Sequence, residues 1–431
     1  MMNEVIEYII KFLLPNNEKL ADRIGYTADT SQFVNYDIVI IPSSFFNDNI
    51  YGSPESEPQL PLATLKDVPI LFGSSEMKED NGTTIVYADI IASTYFLISR
   101  YEEYIHPTDN RDAHGRYIGT KSIPYRANFI HRPIVDEYTD LLLKWLKEKG
   151  HQIIPSTQDY QKIYLTHDID CISYYRSIRG LLGGLKRNFS SIKKCKRVFQ
   201  SILKLENDPA YTFPYILKQD KKVSNATSLF FIKSAVTKHP LDRPSYQLKG
   251  NDFQKIYSLL KKANCQFGLH TSYYAGEYPS IISEEKQKLE DAIKTSIQYN
   301  RWHFLRTLSA NDFTQLIDAN LSDDFTMGYA DIVGFRLGTS RPVQWINPAT
   351  RNVTQLTLHP LVVMDCTLSN PNYMNLNKDN ALSKTLELLH QIKKHHGEVV
   401  LLWHNTIFSE IEDIEHYHTE LYNSIIEELS K

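Results

Sequence analysis

The segment Tyr164-Leu165-Thr166-His167-Asp168-Ile169-Asp170 ends an apolar run in two carboxylates and an imidazole. A strand delivers ligands to the rim of a sheet or barrel in this way. Paired carboxylates beside a histidine can hold a divalent metal and activate water. Side chains alternate along a strand, so Asp168 and Asp170 face the same way, one able to bind metal while the other takes a proton. Three further histidines fall at the ends of apolar runs. His270 closes Phe267-Gly268-Leu269-His270, where a glycine inside a strand suggests close approach of another backbone. His303 lies in Arg301-Trp302-His303-Phe304-Leu305, with Arg301, His303 and Leu305 on one face by period two. A histidine pointing into a protein centre is costly without a partner, so a metal or a carboxylate is expected beside it. His404 ends Val399-Val400-Leu401-Leu402-Trp403-His404. Arg336, in Gly334-Phe335-Arg336-Leu337-Gly338, is one more polar residue at a strand end. It is suited to orienting a catalytic carboxylate, to binding an anionic group, or to a salt bridge with Asp331 or Asp324.

These residues need a scaffold that gathers strand ends, and from about residue 159 the pattern supplies one. Strands are expected at 162–168, 227–233, 265–270, 301–307, 331–336, 356–364 and 398–403. Helices are expected at 251–263, 283–298, 310–318 and 380–396. This rhythm implies a largely parallel sheet, open or closed into a barrel, whose strand C-termini meet at one face. Residues 1–158 read as a smaller α/β domain. It has strands at 36–42 and 69–72, helices at 87–104 and 134–149, and a linker at 155–157. Met1 to Leu14 reads as an amphipathic helix rather than a signal peptide.

The chain has 431 residues, 42% hydrophobic and 23% charged, which fits a globular protein with a large core. A net charge of -4 argues against nucleic acid as the main partner. Four scattered cysteines without a Cys-x-x-Cys pair predict reduced thiols in a cytosolic setting. No apolar run reaches the roughly 18–20 residues of a membrane span. The expected location is therefore cytoplasmic. One stretch departs from the average: Cys171 to Lys204 holds nine Lys or Arg and no Asp or Glu. It reads as a basic helical insertion at about 171–220, either simply solvated or a docking surface for anionic lipid or a nucleotide-linked sugar.

The order of these motifs resembles the polysaccharide deacetylase superfamily, carbohydrate esterase family four. Residues 166–170, 270–272 and 402–404 resemble its first, second and last motifs. The likeness is closer to a bacterial subgroup with the pattern THDxD, GLHxSY, RxHFLR, GFRxGT and LWHN, here residues 166–170, 268–273, 301–306, 334–339 and 402–405. That subgroup carries an N-terminal domain of unknown role, whose markers resemble residues 99–104, 112–116 and 132–138. The main family has a second histidine four residues after the first, but position 274 here is Tyr. His303 is therefore taken as the replacement. Ile169 is inserted in the first motif and His167 replaces an aromatic, which leaves open whether Asp168, Asp170 or His167 binds the metal.

The resemblance implies a distorted (β/α) barrel and metal-assisted hydrolysis of an N-acetyl group. By motif order, Asp170, His270 and His303 would hold Zn²⁺ or a similar divalent ion. Asp168 would act as base, His404 as acid, and Arg336 would orient Asp168. The expected partner is an N-acetylated surface glycan or its lipid- or nucleotide-linked precursor. Two alternatives stay open. One is a glycosyltransferase with Asp168 and Asp170 on Mn²⁺, and the other a non-catalytic glycan-binding barrel.

Overall fold

The computed structural model of the chain describes residues 2–413 and 416–431. Met1, included in the expected first helix, lies outside the described residues. The N-terminal region holds a four-stranded sheet made from β1 (Ile24–Tyr26), β2 (Ile38–Ile40), β5 (Gly73–Asp80) and β6 (Thr83–Ala88), in the order β1-β2-β6-β5. A two-stranded ribbon, β3 (Ala63–Leu65) and β4 (Val68–Ile70), lies beside it. Helices Met2–Phe12, Ile90–Ile98 and Ile134–Glu148 accompany these sheets.

The second sheet has nine strands: β7 (Lys162–Ile169), β8 (Ala226–Lys233), β9 (Gln266–Thr271), β10 (Tyr299–Trp302), β11 (Asp323–Asp324), β12 (Val343–Asn347), β13 (Asn352–Leu358), β14 (Val363–Met364) and β15 (Glu398–Leu402). Their order is β12-β13-β11-β10-β9-β8-β7-β15-β14. Every neighbouring pair is parallel except β12 and β13. The sheet is open, because β12 and β14 are edges, and this corrects the expected barrel to a half-barrel. It is nevertheless strongly curled. In a flat sheet, β13 and β15 would lie roughly 29 Å apart across six strand spacings. Yet His359, just after β13, sits 2.7 Å from Glu398 at the start of β15. The chain between β13 and β14 bridges the gap, with the Val362 N–H donating to the Val400 carbonyl.

Alternation sorts the side chains. One set fills the hollow of the curl: Leu229 and Phe231 on β8, Val400 and Leu402 on β15, with Phe325, Leu361, Tyr164 and Tyr299. The opposite set, including Ile163, Leu165, Val399 and Leu401, packs against helices Lys378–Lys394 and Tyr417–Leu429. Gly268 belongs to the hollow. A Cβ there would lie 2.5 Å from the Phe231 ring, so the close approach is made by a side chain and not, as expected, by another backbone.

Two expected strands are corrected. Residues 331–336 form no strand; Gly334 has φ 142°, outside the range of an ordinary strand residue. The run expected at 301–307 stops at Trp302, and a tight turn follows in which Phe304 and Leu305 both have positive φ. Trp302, Trp345 and Trp403 are all buried core residues, so none of them shapes a sugar-binding surface. Among the described residues, no helix is long and apolar enough to cross a membrane.

His359 clamps the base of the curl. Its Nδ1 faces Glu398 at 2.7 Å and its Nε2 faces Asp323 at 3.0 Å. Two carboxylate acceptors require both ring nitrogens to donate, so the ring is an imidazolium. Burial opposes the charge, but the two acids outweigh it and raise the pKa to about 9. Against an unfolded value of about 6.5, this is worth about 3 kcal/mol. The folded value is the higher one, so the contribution is complete below about pH 6.5 and is lost as pH rises through about 9. We predict that His359→Gln lowers the urea-unfolding free energy by about this amount at pH 6.5 and by much less at pH 9.5. A pH-independent deficit would refute the clamp.

Candidate metal centre

The five acids and histidines expected at strand ends meet at one mouth of the curled sheet. Asp168 lies on β7 and Asp170 just beyond it, His270 on β9, His303 in the turn after β10, and His404 two residues past β15. Asp170 Oδ1 lies 3.5 Å from His270 Nε2 and 3.4 Å from His303 Nε2. Its other oxygen lies 3.7 Å from His404 Nε2. Asp168 Oδ2 is 3.5 Å from His270 Nε2.

The remote ring nitrogens settle what the near ones offer. His270 Nδ1 lies 3.0 Å from the Arg301 carbonyl, which can only accept, so the proton sits on Nδ1. His303 Nδ1 lies 2.8 Å from Asp242, with the same result. Burial holds the His303 pKa below the usual histidine value despite the nearby Asp170 and Asp242 carboxylates. Both Nε2 atoms therefore point toward Asp170. This is the arrangement in which metal-binding histidines are oriented by their second nitrogen.

Donors about 2.0–2.2 Å from a tetrahedral ion stand roughly 3.3–3.5 Å apart. The Asp170–His270 and Asp170–His303 separations match that edge. Asp170 Oδ1 and His270 Nε2 are also buried without a hydrogen-bond partner, a costly state that an ion would relieve. Burial alone would raise the Asp170 pKa, but His303, His270 and Lys233 hold it well below the usual range. Asp170, His270 and His303 thus have the donor types and the spacing to hold a divalent ion.

Asp365, Cys366 and His404 form a second compact group with less to offer a metal. Burial pushes the Cys366 thiol up to about 11, so it stays protonated. Asp365 accepts from the backbone N–H and Nδ1 of His404 at 2.6 and 2.9 Å. Burial works against a charged His404, but Asp365 outweighs it and raises the pKa well above the usual value. His404 is therefore a proton donor whose Nε2 is aimed at the centre.

The guanidinium at Asp168 belongs to Arg301. Arg301 is fully buried and donates to Asp168 Oδ1 at 3.0 Å and to Thr166 Oγ1 at 2.7 Å. Arg336, expected to orient Asp168, instead pairs with Glu103 of the N-terminal region at 2.7 Å and donates to the Gly328 carbonyl. The alternative partners Asp331 and Asp324 are also engaged elsewhere: Asp331 accepts from the Gly119 and Thr120 N–H groups, and Asp324 from Asn300. His167 has the opposite strand parity to Asp168. It faces the Trp403 carbonyl and Asp220 and lies against Phe230, away from the centre.

Three participants carried little or no signal. Lys233 lies at the end of β8 with its Nζ 3.5 Å from Asp170 Oδ1, and strand parity was the only clue to it. Asp242 ends a single 3₁₀ turn, Pro240–Asp242, too short for any periodicity to mark it. The loop around 112–116, from the N-terminal half, forms part of the rim. The Arg306 guanidinium donates to the His114 carbonyl at 2.8 Å, Arg116 donates to the Phe304 carbonyl at 3.1 Å, and His114 Nδ1 lies 3.2 Å from the Tyr273 hydroxyl.

Residues 1–151 match the model of a family of unknown function, DUF7033. No curated protein matches the chain. Among solved structures, one from Mycobacterium smegmatis, described as a "putative polysaccharide deacetylase", superposes with a TM-score of 0.38 at 11% identity, covering 64% of this chain and 92% of that one. A likeness of that degree fixes neither fold nor function.

Proposed function

We propose that this centre hydrolyses an amide with the help of a divalent metal, releasing acetate from an N-acetylated sugar of a surface glycan or its precursor. The observation that carries the reading is the Asp170–His270–His303 cluster, with both Nε2 atoms aimed at one carboxylate oxygen, between a buried Asp168–Arg301 pair and the Asp365–His404 pair. The sugar substrate rests on the motif resemblance. A divalent ion held there, with Zn²⁺ suiting the nitrogen-rich donor set, would polarise the acyl carbonyl and lower the pKa of a water molecule.

The protein's own groups do the rest. Arg301 holds one oxygen of Asp168, and the other faces the centre as the proton acceptor. His404, kept charged by Asp365, hands a proton to the departing amine. Lys233 adds a positive charge beside Asp170. A manganese-dependent transferase would use the two aspartates and leave three convergent histidines without a task.

Three outcomes are expected. First, the protein binds one equivalent of Zn²⁺ by calorimetry. His270→Ala and His303→Ala abolish that stoichiometric binding, and Asp242→Asn weakens it about 10–100-fold. Metal retained by both histidine variants would count against the site. Second, the metal-loaded protein releases acetate from N-acetylated oligosaccharides. Asp168→Asn and His404→Ala each lower kcat about 10²–10⁴-fold without loss of metal. Turnover of nucleotide sugars with no acetate release favours the transferase, and metal binding without either reaction favours a glycan-binding barrel. Third, Arg301→Met costs about 3–5 kcal/mol in stability because it leaves Asp168 buried without its cation. In the double variant with Asp168→Asn the loss is markedly less than additive. Strict additivity would show that the two side chains are not coupled.

A further inference from the structure

Between β7 and β8 the chain leaves the sheet for a helical hairpin, Ile178–Asn188 followed by Ile192–Leu203. Its base is fixed. Arg176 pairs with Asp252 through two bonds of 2.6 and 2.8 Å, and Asp208 accepts from the N–H groups of Tyr174 and Tyr175. The inner faces touch closely: a Cβ on Gly184 would lie 2.7 Å from the Tyr175 ring and 3.3 Å from Val198. The outer faces have the opposite character. Of fifteen exposed large apolar side chains among the described residues, seven fall within residues 178–203. Ile178, Leu182 and Phe189 recur at helical spacing along the first helix, and Ile192, Phe199 and Leu203 do so along the second. Phe189 and Ile192, at the tip, are 83% and 89% exposed.

Ordinary surface helices turn such a stripe inward. Here the stripes face out, and they are framed by cations. From Cys171 to Lys204 there are nine Lys or Arg and no acid. Lys186, Arg187, Lys193 and Lys194 stand within three positions of the apolar tip and form no ion pair within 4.0 Å among the described residues. Glu410, on the other side of the hairpin's second helix, pairs with Arg197 and leaves the four cations of the tip unpaired. Apolar side chains rimmed by such cations are the complement of a bilayer with anionic headgroups. Apolar groups enter the acyl boundary while lysines meet phosphates. A protein partner with an acidic rim would share the charge but not the need for a single apolar wedge at a hairpin tip. We propose that this hairpin docks the protein on an anionic membrane surface. The insertion begins at Cys171, immediately after Asp170, so the hairpin leaves the sheet from the strand end that carries the metal centre. The docking itself does not depend on the hydrolytic reading.

The full-length protein is tested by co-sedimentation with vesicles of phosphatidylcholine alone and with vesicles of equal parts phosphatidylcholine and phosphatidylglycerol. Binding at least tenfold tighter to the anionic vesicles is expected, and it should weaken as salt rises. Phe189→Ser with Ile192→Ser should reduce partitioning at least tenfold, and Lys193→Gln with Lys194→Gln about fivefold per lysine on anionic vesicles only. All four side chains are exposed, and an unchanged thermal melt verifies the fold of each variant. No binding to either vesicle, or binding that both variants leave intact, overturns the proposal. So does a concentration-dependent dimer abolished by the Phe189 and Ile192 substitutions, which would make the tip an interface between two copies.

Discussion

A single buried guanidinium organises the centre. Arg301 starts on β10 and reaches Asp168 on β7, with β9 and β8 between them. Three strand spacings in a flat sheet amount to roughly 14 Å, beyond any side chain. The pair therefore exists only because the sheet curls, and it helps hold the curl. The guanidinium also lies 4.4 Å above the Phe231 ring, and that ring occupies the space that Gly268 leaves by lacking a side chain. Glycine, ring, cation and carboxylate form one column, and Asp168 takes its position from the three beneath it.

Above this column the charges alternate. Asp168 has Arg301, Asp170 has Lys233 and two imidazoles, and Asp242 and Asp365 each hold the outer nitrogen of a histidine. No acid in the group stands alone, and Asp170, a quarter exposed, is the one that opens toward solvent. The turn that carries His303 has positive φ at both Phe304 and Leu305, a conformation disfavoured for bulky residues. Arg116 and Arg306 brace it from the rim, and both contacts involve the loop at 112–116. The N-terminal half thereby takes part in shaping the mouth of a site whose chemistry-bearing groups all lie on the other half.

Much of the centre was legible because its residues obey strand alternation. Asp168, Asp170, His270 and His404 sit at or just past the ends of apolar runs, and the ends of parallel strands converge. His303 was legible as a residue but not as an element, since the pattern continued as a strand where the backbone turns. Arg336 and Arg301 were both visible; which of them meets Asp168 depends on curl, which no local pattern records. No local pattern marks His359 as a clamp, because its partners, Asp323 and Glu398, come from distant parts of the chain. In the first half, β5 escaped notice because it is polar and almost wholly exposed, held by pairing with β6 rather than by an apolar face.

One apolar cluster runs from Val5 through Ile91, Trp145 and Leu269 to Leu358, taking in residues of both sheets. Buried ion pairs cross the same boundary, Glu103 with Arg336 and Asp136 with Arg341. A core held in common has a thermodynamic consequence. Neither sheet can open without exposing the apolar surface and the unpaired charges of the other, so the chain should melt in a single transition. Cutting it near residue 158 would leave two fragments that each lack half of an interior, rather than two working modules.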